Sequence, residues 1–232
     1  MAPFLPTTQD ICATVVEELT LVGGTVSDEF DDGSRLFLRA ILPTADKVQP
    51  KDTVQGGIAV MVDEEEVEVR PYVFREVCRN GAIMPQLMRA RHILRVDFSS
   101  SSDAVEAVDR ELREALRACA AAEVFSENVQ QMKSGIAAVA DVTVFHTLLL
   151  LSQIPHRDAS AFSAEIMRRY SRDRDRSVFG LANAVTSVAR DQKDPEVRWR
   201  LEELGGGVLA RMPPRTKPHG SAARPALSEV TA

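Results

Sequence analysis

Near residue 100 the hydrophobic period of this chain changes, and that switch constrains the fold more than any other feature. Before it, Val67 and Val69 alternate with Glu66, Glu68 and Arg70, the pattern of a strand with one buried and one charged face. After it, Val105, Val108, Leu112, Leu116 and Cys119 recur at spacings of three and four, forming one stripe of an amphipathic helix. A strand-rich part followed by a helical part is expected to be α+β: a small, mostly antiparallel sheet with helices packed on it. The 232 residues suffice to bury one substantial core. The strand-rich part (1–98) and the helical part (99–210) are therefore expected to share one compact domain. Residues 211–232, rich in Pro, Ser, Ala and basic groups, read as a disordered basic tail.

Local signals fill in this outline. Thr7-Thr8-Gln9-Asp10 offers capping chemistry for a helix over 7–22, whose apolar face is Ile11, Val15, Leu19 and Val22. Gly23-Gly24 stops it, and Thr25 to Leu42 reads as a hairpin turning at Asp31-Asp32-Gly33. A loop over Pro43 to Thr53 precedes a strand from Val54 to Val62, with Gly56-Gly57 marking a bulge or close approach. Pro71 suits the first position of a short helix carrying Val73, Phe74, Val77 and Cys78, and Asn80-Gly81 suits its end. One more strand is expected from Arg91 to Phe98. Further helices are expected at 141–153, 160–171, 177–190 and 195–204, the last stopped by Gly205-Gly206-Gly207.

Charge narrows the function classes. The net charge of −6 is uneven: −9 over residues 1–66, +3 over 67–100, −3 over 101–210 and +3 over 211–232. The chain lacks the overall basic footprint of a duplex DNA reader, but its middle and tail offer local patches. Three widely spaced cysteines, Cys12, Cys78 and Cys119, argue against a disulfide framework or a thiolate zinc site. No charged start leads into an apolar stretch, so no signal peptide is expected. The apolar run from Val142 to Ile154 is too short to span a bilayer. A cytoplasmic protein with reduced thiols, no membrane partner and no cofactor is the expectation.

Two stretches carry a family resemblance. The first is Gly56-Gly57-Ile58, an acidic residue at Glu64 or Glu65, Pro71-Tyr72-Val73, and Arg75-x-Val77-Cys78-x-Asn80-Gly81. The second is Gly180 to Arg190 with Asn183, followed by Trp199-x-Leu201-Glu202-x-Leu204-Gly205-Gly206. In order and separation they resemble the phage- and plasmid-associated "domain of unknown function 932" family, and together they cover about a quarter of the chain. An Asn-Ser-Glu group frequent in that family is replaced here by the Met61 to Glu66 stretch, which keeps only the acid. The resemblance implies a mobile-element setting and, by association, work on nucleic acid in recombination or single-strand annealing.

Several side chains are candidates for chemistry. Arg75, Arg79, Arg89, Arg91, Arg95, Arg172 and Arg174 are the expected contacts to single-stranded or duplex DNA, with Arg168, Arg169, Arg176, Arg211, Arg215 and Lys217 nearby in sequence. Asp173 and Asp175 interrupt the second group, and aromatics for base stacking are scarce at 5%. Cys78, beside Arg75 and Arg79, is a potential nucleophile if a base such as His92 approaches, but a packed, inert thiol is the plainer reading. Asp63, Glu64, Glu65 and Glu66 are potential hard-cation ligands without a fixed ligand spacing. His92, His146 and His156 match no zinc spacing, and His146 reads as a core histidine. Cys78, Asn80, Gly81, Asn183 and Trp199 are expected to be structural, Asn183 and Thr186 through hydrogen bonds towards Trp199 or the Gly205 turn. The leading expectation is a non-catalytic nucleic-acid-associated protein. The alternative is an interaction or homo-oligomeric assembly module, in which an acidic N-terminal half meets the basic middle of another copy. A metal-dependent hydrolase built on the acidic hairpin is the third.

Overall fold

In the computed structural model, which describes residues 6–63, 66–85, 91–94 and 102–211, an antiparallel sheet is laid down first and a helical layer closes over it. The elements are α1 (Thr8–Leu21), β1 (Thr25–Asp31), β2 (Leu36–Gln49), β3 (Asp52–Val62), β4 (Glu66–Arg75), β5 (Asn80–Ile83), β6 (Arg91–Leu94), α2 (Ser102–Ala120), α3 (Ala122–Ala137), α4 (Val142–Leu151), α5 (His156–Asp173), α6 (Val178–Arg190) and α7 (Pro195–Arg211). The chain is α+β.

Local chemistry explains the first elements. Thr7 and Asp10 form a reciprocal cap on α1: Asp10 N–H donates to Thr7 Oγ1 at 3.2 Å and Thr7 N–H donates to Asp10 Oδ2 at 2.9 Å. The β1–β2 turn is held by Gly33 N–H on Asp31 Oδ1 and by Ser34 and Arg35 N–H on Asp32 Oδ1, with Gly33 in the left-handed region at φ 85°. β2 and β3 are longer than the sequence signals suggested. The expected loop at 43–53 is instead mostly strand: a bulge places Leu42-Pro43-Thr44 opposite Gly56 between the pairs Ile41↔Gly57 and Ala45↔Gln55, and the chain then turns tightly at Pro50-Lys51. Pro43 is tolerated there because a bulge does not need its N–H.

The strand order is β1-β2-β3-β4-β5, and β6 also pairs with β4. β5 takes the Tyr72–Arg75 half of β4 and β6 the Glu66–Val69 half. Pairing register sends Leu36, Leu38, Ile58, Val60, Val62, Val67 and Val69 to one face. Ile11, Val15 and Leu19 of α1 and Val108, Leu112 and Leu116 of α2 cover that face. The opposite face carries Phe37, Ala59, Met61, Tyr72 and Ile83, which pack with Trp199 of α7. Beyond the β5 edge, α6 supplies the centre of a helical core, with Phe179, Leu181, Val185 and Val188 packed among residues of α3, α4, α5 and α7.

Four further expectations are corrected. Residues 71–81 are not a helix: Pro71 to Arg75 complete β4, Glu76 to Arg79 turn, and Asn80 opens β5. β4 is covered on both faces, so its apolar residues run continuously and imitate helical spacing. Arg79, at φ 51°, takes the left-handed turn position, and Gly81 is no cap. Gly81 instead lies beneath the Tyr72 ring, where a Cβ would fall 2.1 Å from the phenol oxygen. Nor do the three glycines end α7. The helix runs through Gly205-Gly206-Gly207 to Arg211, because helix and sheet backbones approach closely there. His146 is exposed on α4, with Nε2 3.3 Å from Ser163 Oγ, so it is not a core histidine. The same helix, expected to be buried, leaves Leu150 and Leu151 exposed. Among the described residues no helix is long and apolar enough to cross a membrane. The expected strand beyond Leu94, the Asp103–Glu106 cap and the tail from 212 lie outside the described residues or side chains.

Candidate functional site

The fold brings the two sequence stretches singled out above into contact. Asn80, buried on β5, donates through Nδ2 to Thr186 Oγ1 of α6 at 2.7 Å. Arg190, at the end of α6, donates to the Cys78 carbonyl at 2.7 Å. Thr186 therefore bonds to the sheet, not towards Trp199, whose Nε1 has no partner. Arg75 forms a two-pronged pair with the nearly buried Asp52, at 2.7 Å from Nε to Oδ1 and 2.7 Å from NH2 to Oδ2. Its guanidinium also lies 5.3 Å from the Phe179 ring centre and within 3.2 Å of Cys78 Sγ. Asn183 joins Arg75, Asn80, Gly81, Phe179 and Thr186 around a cavity of about 10 Å³, too small for anything beyond a single water. This junction locks sheet to helices.

The remaining candidate arginines are distributed, not pooled. Arg172 and Asp173 pair at 3.0 Å, Arg168 and Arg169 share Glu165, and Arg169 also reaches Asp191 at 2.9 Å. Arg176 lies over Tyr170. Arg79 and Arg174 are exposed in left-handed turn positions. Arg91 is in β6 opposite Val69, six positions along β4 from Arg75, or about 20 Å at strand spacing. Arg89, Arg95, Arg215, Lys217, Glu64 and Glu65 lie outside the described residues. Asp63 Oδ1 accepts the Glu66 N–H at 2.9 Å, and the described residues contain no cluster of three or more His, Cys, Asp or Glu suited to a metal. The three cysteines are free thiols. His92 and His156 head or occupy elements whose side chains at those positions are not described.

Sequence reasoning missed the polar layer beneath α7. Arg39 is fully buried, and its Nε donates to Glu202 Oε2 at 2.6 Å while NH1 reaches Asp28 at 3.0 Å. Arg198 closes the ring, 2.9 Å from Asp28 and 3.1 Å from Glu202. Burial pushes the Glu202 carboxyl up, and Arg39 and Arg198 pull it back. The signal was present in part: Arg39 sits on the face of β2 opposite its leucines. A charge inside an apolar strand needs a partner, but its spacing from Glu202 gives no hint of which one. Next to the ring, Glu68 and Glu203 both approach Arg70, and burial with the neighbouring Glu68 raises Glu203. They line a cleft of about 300 Å³ with Arg200, Leu148 and Leu151.

A different chemistry occupies the far margin of the sheet. β1 is an edge strand, exposed along nearly its whole length, and among the described residues no strand pairs with its outer side. With α1 it bounds an open groove of about 580 Å³ lined by Gln9, Cys12, Ala13, Val16, Glu17, Glu29 and Asp31. Burial and the adjacent Glu29 push the Cys12 thiol up, away from reactivity. No family model, curated protein or solved structure matches this chain.

Proposed function

We propose that this chain is a non-catalytic protein-interaction and assembly module whose contact surface is the α1–β1 margin. The observation behind this reading is the concentration of exposed large apolar side chains there: Val16 and Leu21 on α1, Val22 just after it, and Val26 and Phe30 on β1. These are carried on an edge strand and the helix beside it, next to a short turn, and large uncovered apolar groups of this kind favour contact with another chain. Association with nucleic acid has weaker support. Arg75 is engaged by Asp52 and Arg172 by Asp173, and the candidates are spread between the sheet and the end of α5.

Sedimentation velocity of the full chain over a wide concentration range tests the proposal. Reversible self-association through the exposed α1 side chains, weakened by substituting Leu21→Ser, is the expected result, with the outer edge of β1 left free. A strict monomer at every concentration removes the assembly reading. A titration with single-stranded and duplex DNA at low and high salt provides the competing outcome, since salt-sensitive binding would put nucleic acid in its place.

A further inference from the structure

We infer that the outer edge of β1 accepts an extended segment of another chain as an added strand, and that this segment alternates basic with apolar side chains. The inference rests on the interaction reading above and names its partner chemistry. Strand addition needs an unpaired row of backbone N–H and C=O groups, which β1 presents over Thr25–Asp31. Side chains of an added strand alternate between the two faces of the sheet.

On one face they would meet Glu29 and Asp31, which register against Leu38 and Leu36 and project into the groove beneath α1. Neither carboxylate has a cationic partner among the described residues. Glu29 lies by Cys12, and Asp31 accepts only the Gly33 N–H. Glu17 adds a third charge at the groove, already paired with Arg113. On the other face the added strand would meet Phe30, whose ring lies 6.3 Å from Phe37. Basic side chains towards the groove and apolar ones towards Phe30 satisfy both.

The same charges disfavour a second copy of β1 as the occupant. An antiparallel pair of identical edges would bring the carboxylates of one strand against those of the other. A bulge between Val26 and Asp28, where Ser27 Oγ donates to the Arg39 carbonyl, further interrupts a self-complementary edge.

The test uses the full chain and a labelled peptide that alternates lysine with valine, read by fluorescence anisotropy at low and physiological ionic strength. Salt-sensitive binding is expected, with no binding of the matching glutamate–valine peptide. A double variant, Glu29→Lys with Asp31→Asn, should weaken the lysine–valine peptide about tenfold or more. Asparagine keeps an acceptor for Gly33 N–H, and both positions are exposed. The lysine–valine peptide with alternate amides N-methylated, so that one edge cannot donate, should not bind. Equal binding of the methylated peptide overturns the proposal, because the contact would be ionic only. Absence of lysine–valine binding, or indifference to the double variant, overturns it too. Protection of β1 amides from hydrogen exchange at high concentration without peptide would make a second copy the occupant and also overturn it. Sedimentation of the same sample separates the two readings: a chain that self-associates yet ignores the peptide loses this inference alone.

Discussion

Alanine substitutions at the adjacent glycines Gly206 and Gly207 should have opposite effects on stability. A Cβ on Gly206 would lie 1.9 Å from the Ile83 carbonyl oxygen, 2.8 Å from its carbon and 3.2 Å from Met84 Cα. Favourable heavy-atom contact is nearer 3.5 Å, so the first contact falls short by about 1.5 Å. The obstacle is backbone, so no rotamer change relieves it, and α7 must withdraw from β5. Withdrawal loosens Trp199, Leu204, Val208 and Leu209, all buried. Overpacking of this kind costs roughly 1–3 kcal/mol, here towards the upper end, and the gain in helix propensity returns about 1 kcal/mol. The expected net loss is about 1–2 kcal/mol, a fall in Tm of roughly 3–6 °C for a chain of this size. At Gly207 a Cβ would meet nothing within 4 Å, and its φ is not positive. Gly207→Ala should therefore keep the propensity gain and raise Tm by about 2–4 °C. Thermal and urea unfolding followed by circular dichroism read both changes. If Gly206→Ala is as stable as Gly207→Ala, then α7 does not lie against β5 and the reasoning fails.

Two further outcomes follow from charge. Removing one partner of the buried ring, as in Arg39→Met or Glu202→Leu, should cost about 3–5 kcal/mol by urea unfolding, and the double variant should recover much of it because no unpaired buried charge remains. Acid should destabilise the fold through carboxylates held low by arginine: Glu165, drawn down to about 2 by Arg168 and Arg169, and Glu18, lowered by Arg117 and Arg113. Their folded values lie below the ordinary value of about 4.3. Their contribution is therefore complete above that pH and is lost below it, for Glu165 as pH falls towards 2. Melting temperatures from pH 7 to pH 2 should show this loss, with a shallower slope for Glu165→Gln.

The sequence reading succeeded where one face of an element is buried and the other wet. α1, α2 and the order of helices were legible because Ile11, Val15 and Leu19, or Val108, Leu112 and Leu116, mark a single stripe, while the β1–β2 hairpin was legible from its Asp31-Asp32-Gly33 turn. It failed where both faces are covered. In β4 the apolar run Pro71 to Phe74 has no period to read, and in α7 three glycines look like a stop until the nearby Ile83 backbone is known. The buried ring was illegible for another reason. Arg39 and Glu202 are separated by 163 positions, and only the folded topology brings them within 2.6 Å. The candidate arginines were legible as residues but not as a surface, since whether Arg75 is free depends on Asp52 across the sheet.

The ring also links the proposed docking edge to the helical layer. Asp28 is the one member on β1, and it is bound by Arg39 from β2 and Arg198 from α7. α7 in turn packs on β5 and α6, so Asp28 carries the ion-pair link from β1 to α7, beside the backbone pairing of β1 with β2. Asp28→Ala would leave Arg39, buried and already lacking a partner at NH2, with Glu202 alone. Partial exposure of Asp28 limits the global cost to roughly 1–3 kcal/mol. The local consequence should be larger in β1 than elsewhere, because an edge strand is paired on one side only. Hydrogen exchange should therefore quicken in Thr25–Asp31 while α6 and α7 change little. Equal acceleration in α7 would mean that Asp28 stabilises the whole layer and that β1 is not a separately adjustable edge.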